Sequence, residues 1–138
     1  MVTIQVHYQG ELRTQATHGP SKTQFLTDAP VDNQGKGESF SPTDLVATAL
    51  ATCILTTMGI VARRNGWDLT GARAAVEKRM VTSPERRIGE LAVVLDLPAA
   101  LDERARATLE RTALTCPVHR TLGDRVSMPV TFRWGVEV

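Results

Sequence analysis

The sequence has little that indicates a metal, a nucleotide or a nucleic acid as a partner. Its 138 residues carry a net charge of only +1, from 16 Lys and Arg against 15 Asp and Glu. Nucleic-acid binders usually concentrate positive charge to neutralise phosphates, so this balance predicts no nucleic-acid partner. Two cysteines are too few for a metal site made of thiolates alone. Glycine-rich nucleotide loops and zinc-binding His-Glu-x-x-His patterns are also missing, so we predict no metal and no cofactor.

The first ten residues also lack the basic and apolar segments of a secretory signal. We therefore expect a cytoplasmic protein, in which cysteines are normally kept as thiols and a disulfide is transient and catalytic. The length predicts a single domain over residues 1–138.

Alternation of apolar and polar residues predicts strands at both ends of the chain. Residues 2–8 have the pattern of a half-buried strand, and turn signals follow it. Residues 28–40 are rich in Pro, Gly, Asn and Asp, which is typical of a loop. The predicted strands cover residues 2–8, 12–17, 22–27, 68–80, 88–97 and 128–136.

A long helix is predicted between Ser41 and Gly66. Ser41 can cap it, Asp44 lies at the capping-box position, and Arg63 and Arg64 suit its carboxyl end. Residues 45–62 carry no charge, but four threonines and a central glycine argue against a membrane span. A helix that is apolar on every side must be covered on every side. We therefore expect this helix to be buried in a homodimer.

A second helix is predicted over residues 103–115, with Asp102 as its cap. Its apolar residues recur every fourth position, at Leu101, Ala105, Leu109 and Ala113. A short helical turn begins at Pro117. The order of elements predicts an α+β fold, with an antiparallel sheet, a long buried central helix and a second helix.

The two cysteines are the best candidates for chemistry. Cys53 falls in the middle of the uncharged helix, and Cys116 directly precedes Pro117, where free backbone N–H groups would lower its pKa. If the two helices face each other, these thiols form a redox couple. His119 is the nearest polar group that could ionise a thiol. Alternatively, each cysteine is a small hydrophobic core residue. The predicted face around Cys53 consists of Val46, Ala49, Leu50 and Ile60.

The chain resembles the OsmC/Ohr family of hydroperoxide-detoxifying proteins. The stretch SPTDL at residues 41–45, the Ala/Thr-rich helix up to Cys53, the stretch TCPV at residues 115–118 and the order of the strands carry this resemblance. It implies an intertwined homodimer with two sites at the subunit interface. It also implies that Cys53 is the peroxidatic thiol and Cys116 the resolving one. The implied substrates are organic hydroperoxides, and the implied reductants are thiols or dihydrolipoyl groups.

The sequence departs from the peroxidase branches of that family at two places. Those branches have Glu directly after the helix-initiating Pro, where this chain has Thr43 followed by Asp44. They also use an arginine from the N-terminal strands or the loop to stabilise the thiolate. Arg13 is the nearest candidate here, and Lys36 is a second cation.

We therefore predict a thiol-dependent peroxidase in which Cys53 and Cys116 react, with Arg13, Asp44 and His119 as further site residues. The alternative is a related dimer without peroxidase activity that binds a small hydrophobic or thiol-bearing ligand. A dimer with a purely structural role is a third hypothesis.

Overall fold

The computed structural model describes residues 1–137. The chain forms two compact units, Met1–Val46 and the part from Ala47 onwards. The strands are β1 (Ile4–Gly10), β2 (Arg13–His18), β3 (Gln24–Asp28), β4 (Arg73–Val81), β5 (Arg87–Leu97) and β6 (Val130–Trp134). The α-helices are α1 (Pro42–Arg64), α2 (Glu103–Ala113) and α3 (Pro117–Leu122), and short 3-10 turns lie at Val31–Asn33 and Gly123–Arg125. Each strand and helix corresponds to a predicted element.

The first unit contains an antiparallel sheet with the strand order β1-β2-β3. The prediction of a half-buried first strand is wrong for the single chain, because Ile4 and Val6 remain 53% and 63% exposed. Alternation identifies an apolar face but does not supply the surface that covers it. The buried residues of this unit are Ala16, Thr27, Asp28 and Ser41.

The second unit contains a sheet with the strand order β4-β5-β6. β4 and β5 form the expected antiparallel hairpin, but β6 runs parallel to β5, with Val93 opposite Val130 and Leu95 opposite Phe132. The prediction of one antiparallel sheet is therefore wrong: there are two sheets, and one of them is mixed. The reason is the connection, because α2 and α3 return the chain across the sheet before β6 begins, as parallel pairing requires.

Buried residues of the second unit recur with the periods of their elements. In β5 every second residue from Leu91 to Leu97 is at most 1% exposed. In α2 the predicted residues Ala105, Leu109 and Ala113 are equally buried. The buried stripe of α1 consists of Ala47, Leu50, Ile54, Met58 and Ala62.

In the single chain α1 is buried along one face only, and its burial in a homodimer stays a prediction. Thr48, Thr52, Thr56 and Ile60 lie exposed on the face opposite the buried stripe. The Thr52 hydroxyl donates to the carbonyl of Thr48 at 2.8 Å, so this face meets part of its own hydrogen-bonding needs. α1 also has the length and mean hydropathy (2.1) of a membrane span, a test that core helices of globular proteins also meet. Its single buried stripe is typical of a core helix.

The helix ends follow the sequence signals. The Asp44 N–H donates to Ser41 Oγ at 3.1 Å, and the Ser41 N–H donates to Asp44 Oδ2 at 2.8 Å, which is a capping box. The Asp102 carboxylate accepts from the Ala105 N–H at 2.8 Å and caps α2. Cys53 therefore lies in the fourth turn of α1, and α2 ends at Ala113, shortly before Cys116.

Candidate functional site

Cys116 joins α2 to α3 and is the N-cap residue of α3. Its backbone is extended, with φ −62° and ψ 144°, and Pro117 occupies the first turn, where its missing N–H costs nothing. The His119 N–H donates to Cys116 Sγ at 3.3 Å. The side chain is fully buried.

Cys53 lies on α1 at the border of the buried stripe and is half-buried. Of the residues predicted to share its face, Leu50 is fully buried whereas Ile60 is 48% exposed. The predicted face is therefore divided, because the buried stripe passes through Leu50 and Ile54 and leaves Cys53 at its edge. A small molecule in solvent would meet Cys53 before Cys116.

The thiols of Cys53 and Cys116 lie close enough to interact, because Cys53 influences the pKa of Cys116. Burial raises the pKa of the Cys116 thiol; the His119 N–H opposes this rise, and the neighbouring Cys53 adds to it. The expectation that the start of a helix lowers the pKa of Cys116 is wrong in its net direction. Removal of the thiolate from water outweighs two N–H groups, from His119 and Val118.

His119 contacts Cys116 through its backbone. The prediction that its imidazole ionises a thiol stays a prediction. Cys53, Cys116 and the His119 backbone thus lie together in the second unit.

Arg13 belongs to the first unit and is held by two acids. Its Nε and Nη2 atoms donate to the two carboxylate oxygens of Asp28, each at 2.7 Å, and Nη2 also donates to Glu38 Oε2 at 2.7 Å. Asp28 is 1% exposed. Hydrogen bonds from Arg13 hold the pKa of the Asp28 carboxyl below its usual range.

Sequence reasoning missed Asp28 and Glu38 as partners of Arg13. The signal was the strand register, because Arg13 and Asp28 are opposite each other in β2 and β3. Extending the strand predicted over residues 22–27 by one residue would have included Asp28 and allowed these opposite charges to pair.

Asp44 also belongs to the first unit, where its contacts with Ser41 explain its position without a catalytic role. Lys36 lies 3.8 Å from Glu11 in a surface ion pair. The roles of Arg13, Asp44 and Lys36 in any reaction stay predictions. Among residues 1–137, no group of three or more His, Cys, Asp or Glu is placed to hold a metal ion.

Most of the chain matches a known protein family. A family model described as OsmC-like protein matches residues 35–131. The chain belongs to the OsmC-like family. This match confirms the predicted resemblance to the family, but it does not test the roles predicted for individual residues. No curated protein matches the chain.

Solved structures support the same conclusion. A protein from Psychrobacter arcticus 273-4, assigned by inference to the osmotic stress and detoxification response, is 46% identical over 96% of each chain, with a TM-score of 0.91. An organic hydroperoxide resistance protein OsmC from Legionella pneumophila is 19% identical, over 99% of this chain and 97% of its own, with a TM-score of 0.75. The organic hydroperoxide resistance protein OhrB of Bacillus subtilis is 16% identical, over 96% of this chain and 98% of its own, with a TM-score of 0.70. The last two show the shared fold.

Proposed function

We propose that this OsmC-like protein is a thiol peroxidase that reduces organic hydroperoxides through Cys53 and Cys116. The observation that carries the proposal is the proximity of the two thiols, which come from separate elements of one unit and interact closely enough for Cys53 to raise the pKa of Cys116. Two thiols that lie close together can be joined by a disulfide if their sulfur atoms move to bonding distance. The detoxification and hydroperoxide-resistance roles named for the structural relatives agree with this chemistry.

Cys53 is the attacking thiol in this proposal, because it is half-buried whereas Cys116 is fully buried. The Cys53 thiolate attacks the terminal oxygen of the hydroperoxide, and the O–O bond breaks. The organic alkoxide takes a proton and leaves as the alcohol. Cys53 is thereby oxidised to the sulfenic acid.

Cys116 resolves the sulfenic acid. Its thiolate attacks the Cys53 sulfur, the S–O bond breaks, and the hydroxide takes up the proton released by Cys116 and leaves as water. A dithiol such as a dihydrolipoyl group then reduces the disulfide by two successive exchanges. The cycle returns both thiols and leaves the reductant as its own disulfide. A reducing compartment suits this cycle, and we propose a cytoplasmic location.

We also propose that the active form is a homodimer. Three apolar side chains in or just before the first strand (Val2, Ile4 and Val6) are more than half exposed, and the sheet of the first unit buries few residues of its own. A three-stranded sheet needs an apolar surface to be stable. A second copy of the chain is the proposed cover. A monomer in light scattering at micromolar concentration would contradict this proposal.

The test is mass spectrometry after treatment with less than one equivalent of cumene hydroperoxide. We expect the wild type to lose two hydrogens as a Cys53–Cys116 disulfide forms. Cys116→Ser should instead gain one oxygen at Cys53. Cys53→Ser should neither lose two hydrogens nor gain an oxygen. Free thiols that survive excess hydroperoxide in the wild type would reject the peroxidase and favour a ligand-binding dimer.

A further inference from the structure

α3 is a helix of six residues with no buried residue, and it depends on Cys116 at its first turn. The Cys116 sulfur accepts from the His119 N–H at 3.3 Å, and the Cys116 carbonyl accepts from the Arg120 N–H at 3.1 Å. At the other end, the Gly123 N–H bonds to the His119 carbonyl. A helix this short is marginal without such contacts. Its first turn is therefore sensitive to the state of one sulfur atom.

The other sulfur is held by a far more rigid element. Cys53 lies within the 23 residues of α1, beside Leu50, Ile54 and Met58, which are fully buried. Displacing α1 would disturb the core of the second unit, whereas α3 itself contains no buried residue. If the two sulfurs approach each other, the movement falls mainly on Cys116.

We propose that Cys116 is a redox-dependent helix cap, and that a Cys53–Cys116 disulfide releases the first turn of α3. A disulfide joins its sulfurs at about 2.05 Å, which is shorter than any separation of two sulfur atoms that are not bonded. Closing that gap draws the Cys116 sulfur away from the His119 N–H. The inference rests on the proposed function in one respect only: that function supplies the hydroperoxide that would form the disulfide in the cell.

Release of α3 has a consequence for the reduction of the disulfide. Cys116 is fully buried in the reduced protein, so a reductant the size of a dihydrolipoyl group needs an opening to attack there. Oxidation itself supplies that opening by freeing the turn that covers the sulfur. Reduction restores the cap and closes the site again.

The experiment measures hydrogen exchange of the His119 amide by NMR, with the Leu109 amide in α2 as an internal reference. Diamide forms the disulfide directly: two thiols lose two hydrogens, and the reagent is reduced to the hydrazine. We expect the oxidised wild type to exchange about twofold to thirtyfold faster at His119 than the reduced wild type, the range for losing one helix cap. Diamide should leave the exchange of Cys53→Ser unchanged.

Two reduced variants test the cap without any redox chemistry. Cys116→Ala removes the acceptor and should exchange faster at His119 by the same factor, whereas Cys116→Ser provides a hydroxyl acceptor and should stay protected. The inference would be overturned if the His119 amide exchanged equally fast in Cys116→Ala and in the reduced wild type. Equal exchange of this amide in the oxidised and the reduced wild type would overturn it as well. Failure of diamide to join the two cysteines would also overturn it. If diamide forms the disulfide but hydroperoxides do not, only the proposed peroxidase activity is rejected.

Discussion

Arg13 and Asp28 face each other across β2 and β3, and the arginine donates two parallel hydrogen bonds of 2.7 Å to the carboxylate. The Glu38 N–H supplies a third donor to Asp28, at 3.2 Å. A carboxylate as buried as Asp28 requires such partners, because an unpaired charge is strongly disfavoured away from water. The pair therefore ties the loop that follows β3 to the sheet of the first unit.

Replacing Asp28 should destabilise the protein more than replacing the second acid on the same arginine. Asp28→Asn leaves Arg13 without its bidentate partner in a buried position. Glu38→Gln is the matched control, because the Glu38 side chain is 66% exposed and surface pairs contribute little. Urea unfolding should show a clear loss of stability for Asp28→Asn and almost none for Glu38→Gln. Equal effects of the two substitutions would contradict the burial argument.

The same carboxylate should make stability depend on pH in acid. Hydrogen bonds from Arg13 lower the pKa of Asp28 from its usual value of 3.8. Above that value Asp28 is ionised in both the folded and the unfolded chain, and its stabilisation is fully present. As the pH falls, the unfolded chain binds the proton first, so stability declines until the pH has passed the lowered pKa. The difference in free energy of unfolding between wild type and Asp28→Asn should shrink from about pH 4 downwards; a constant difference would exclude this coupling.

The pH dependence of disulfide formation should reveal the buried thiol. Burial raises the pKa of Cys116, so at neutral pH this residue is mostly protonated and its attack is slowed. Below that pKa, each unit of pH should increase the thiolate, and hence the rate of resolution, by about tenfold. Quenched mass spectrometry from about pH 6 to about pH 9 measures the step from sulfenic acid to disulfide. Sulfenic acid formation in Cys116→Ser is the control for the first step. A pH-independent resolution rate would contradict the raised pKa.

Two leucines near the end of α2 should differ sharply in their contribution to stability. Leu109 is fully buried, and Leu114, which follows α2, is 46% exposed. Leu109→Ala should lower the free energy of unfolding by about 2–5 kcal/mol, because it leaves a cavity in the core. Leu114→Ala should change it by less than about 0.5 kcal/mol. Chemical denaturation measures both, and similar losses would indicate that Leu114 is covered by a partner in solution.

Local signals predicted most of the secondary structure. The capping box at Ser41 and Asp44 predicted the start of α1 correctly, and Asp102 did the same for α2. β4 begins later than predicted, at Arg73, because the Asp68 side chain accepts from the Thr70 N–H and forms a turn first. Such signals lie within a few residues of the element that they define, so one sequence contains them in full.

Contacts between distant residues were harder to predict. The sequence indicated that Cys53 and Cys116 belong on core-facing positions, and in the structure their thiols lie close enough to interact. It did not indicate which of the two is buried. Burial of one side chain depends on how every neighbouring element packs, and no local pattern records that.

The sequence by itself determined where the helices start, which residues of β5 and α2 face the core, and which two residues carry the thiols, because periodicity and capping are local. Only the tertiary structure decided that β6 runs parallel to β5, that Asp28 is the partner of Arg13, and that burial raises the pKa of Cys116. Each of these depends on residues far apart in the chain. Long-range pairing and exclusion of water arise only when the whole chain is folded.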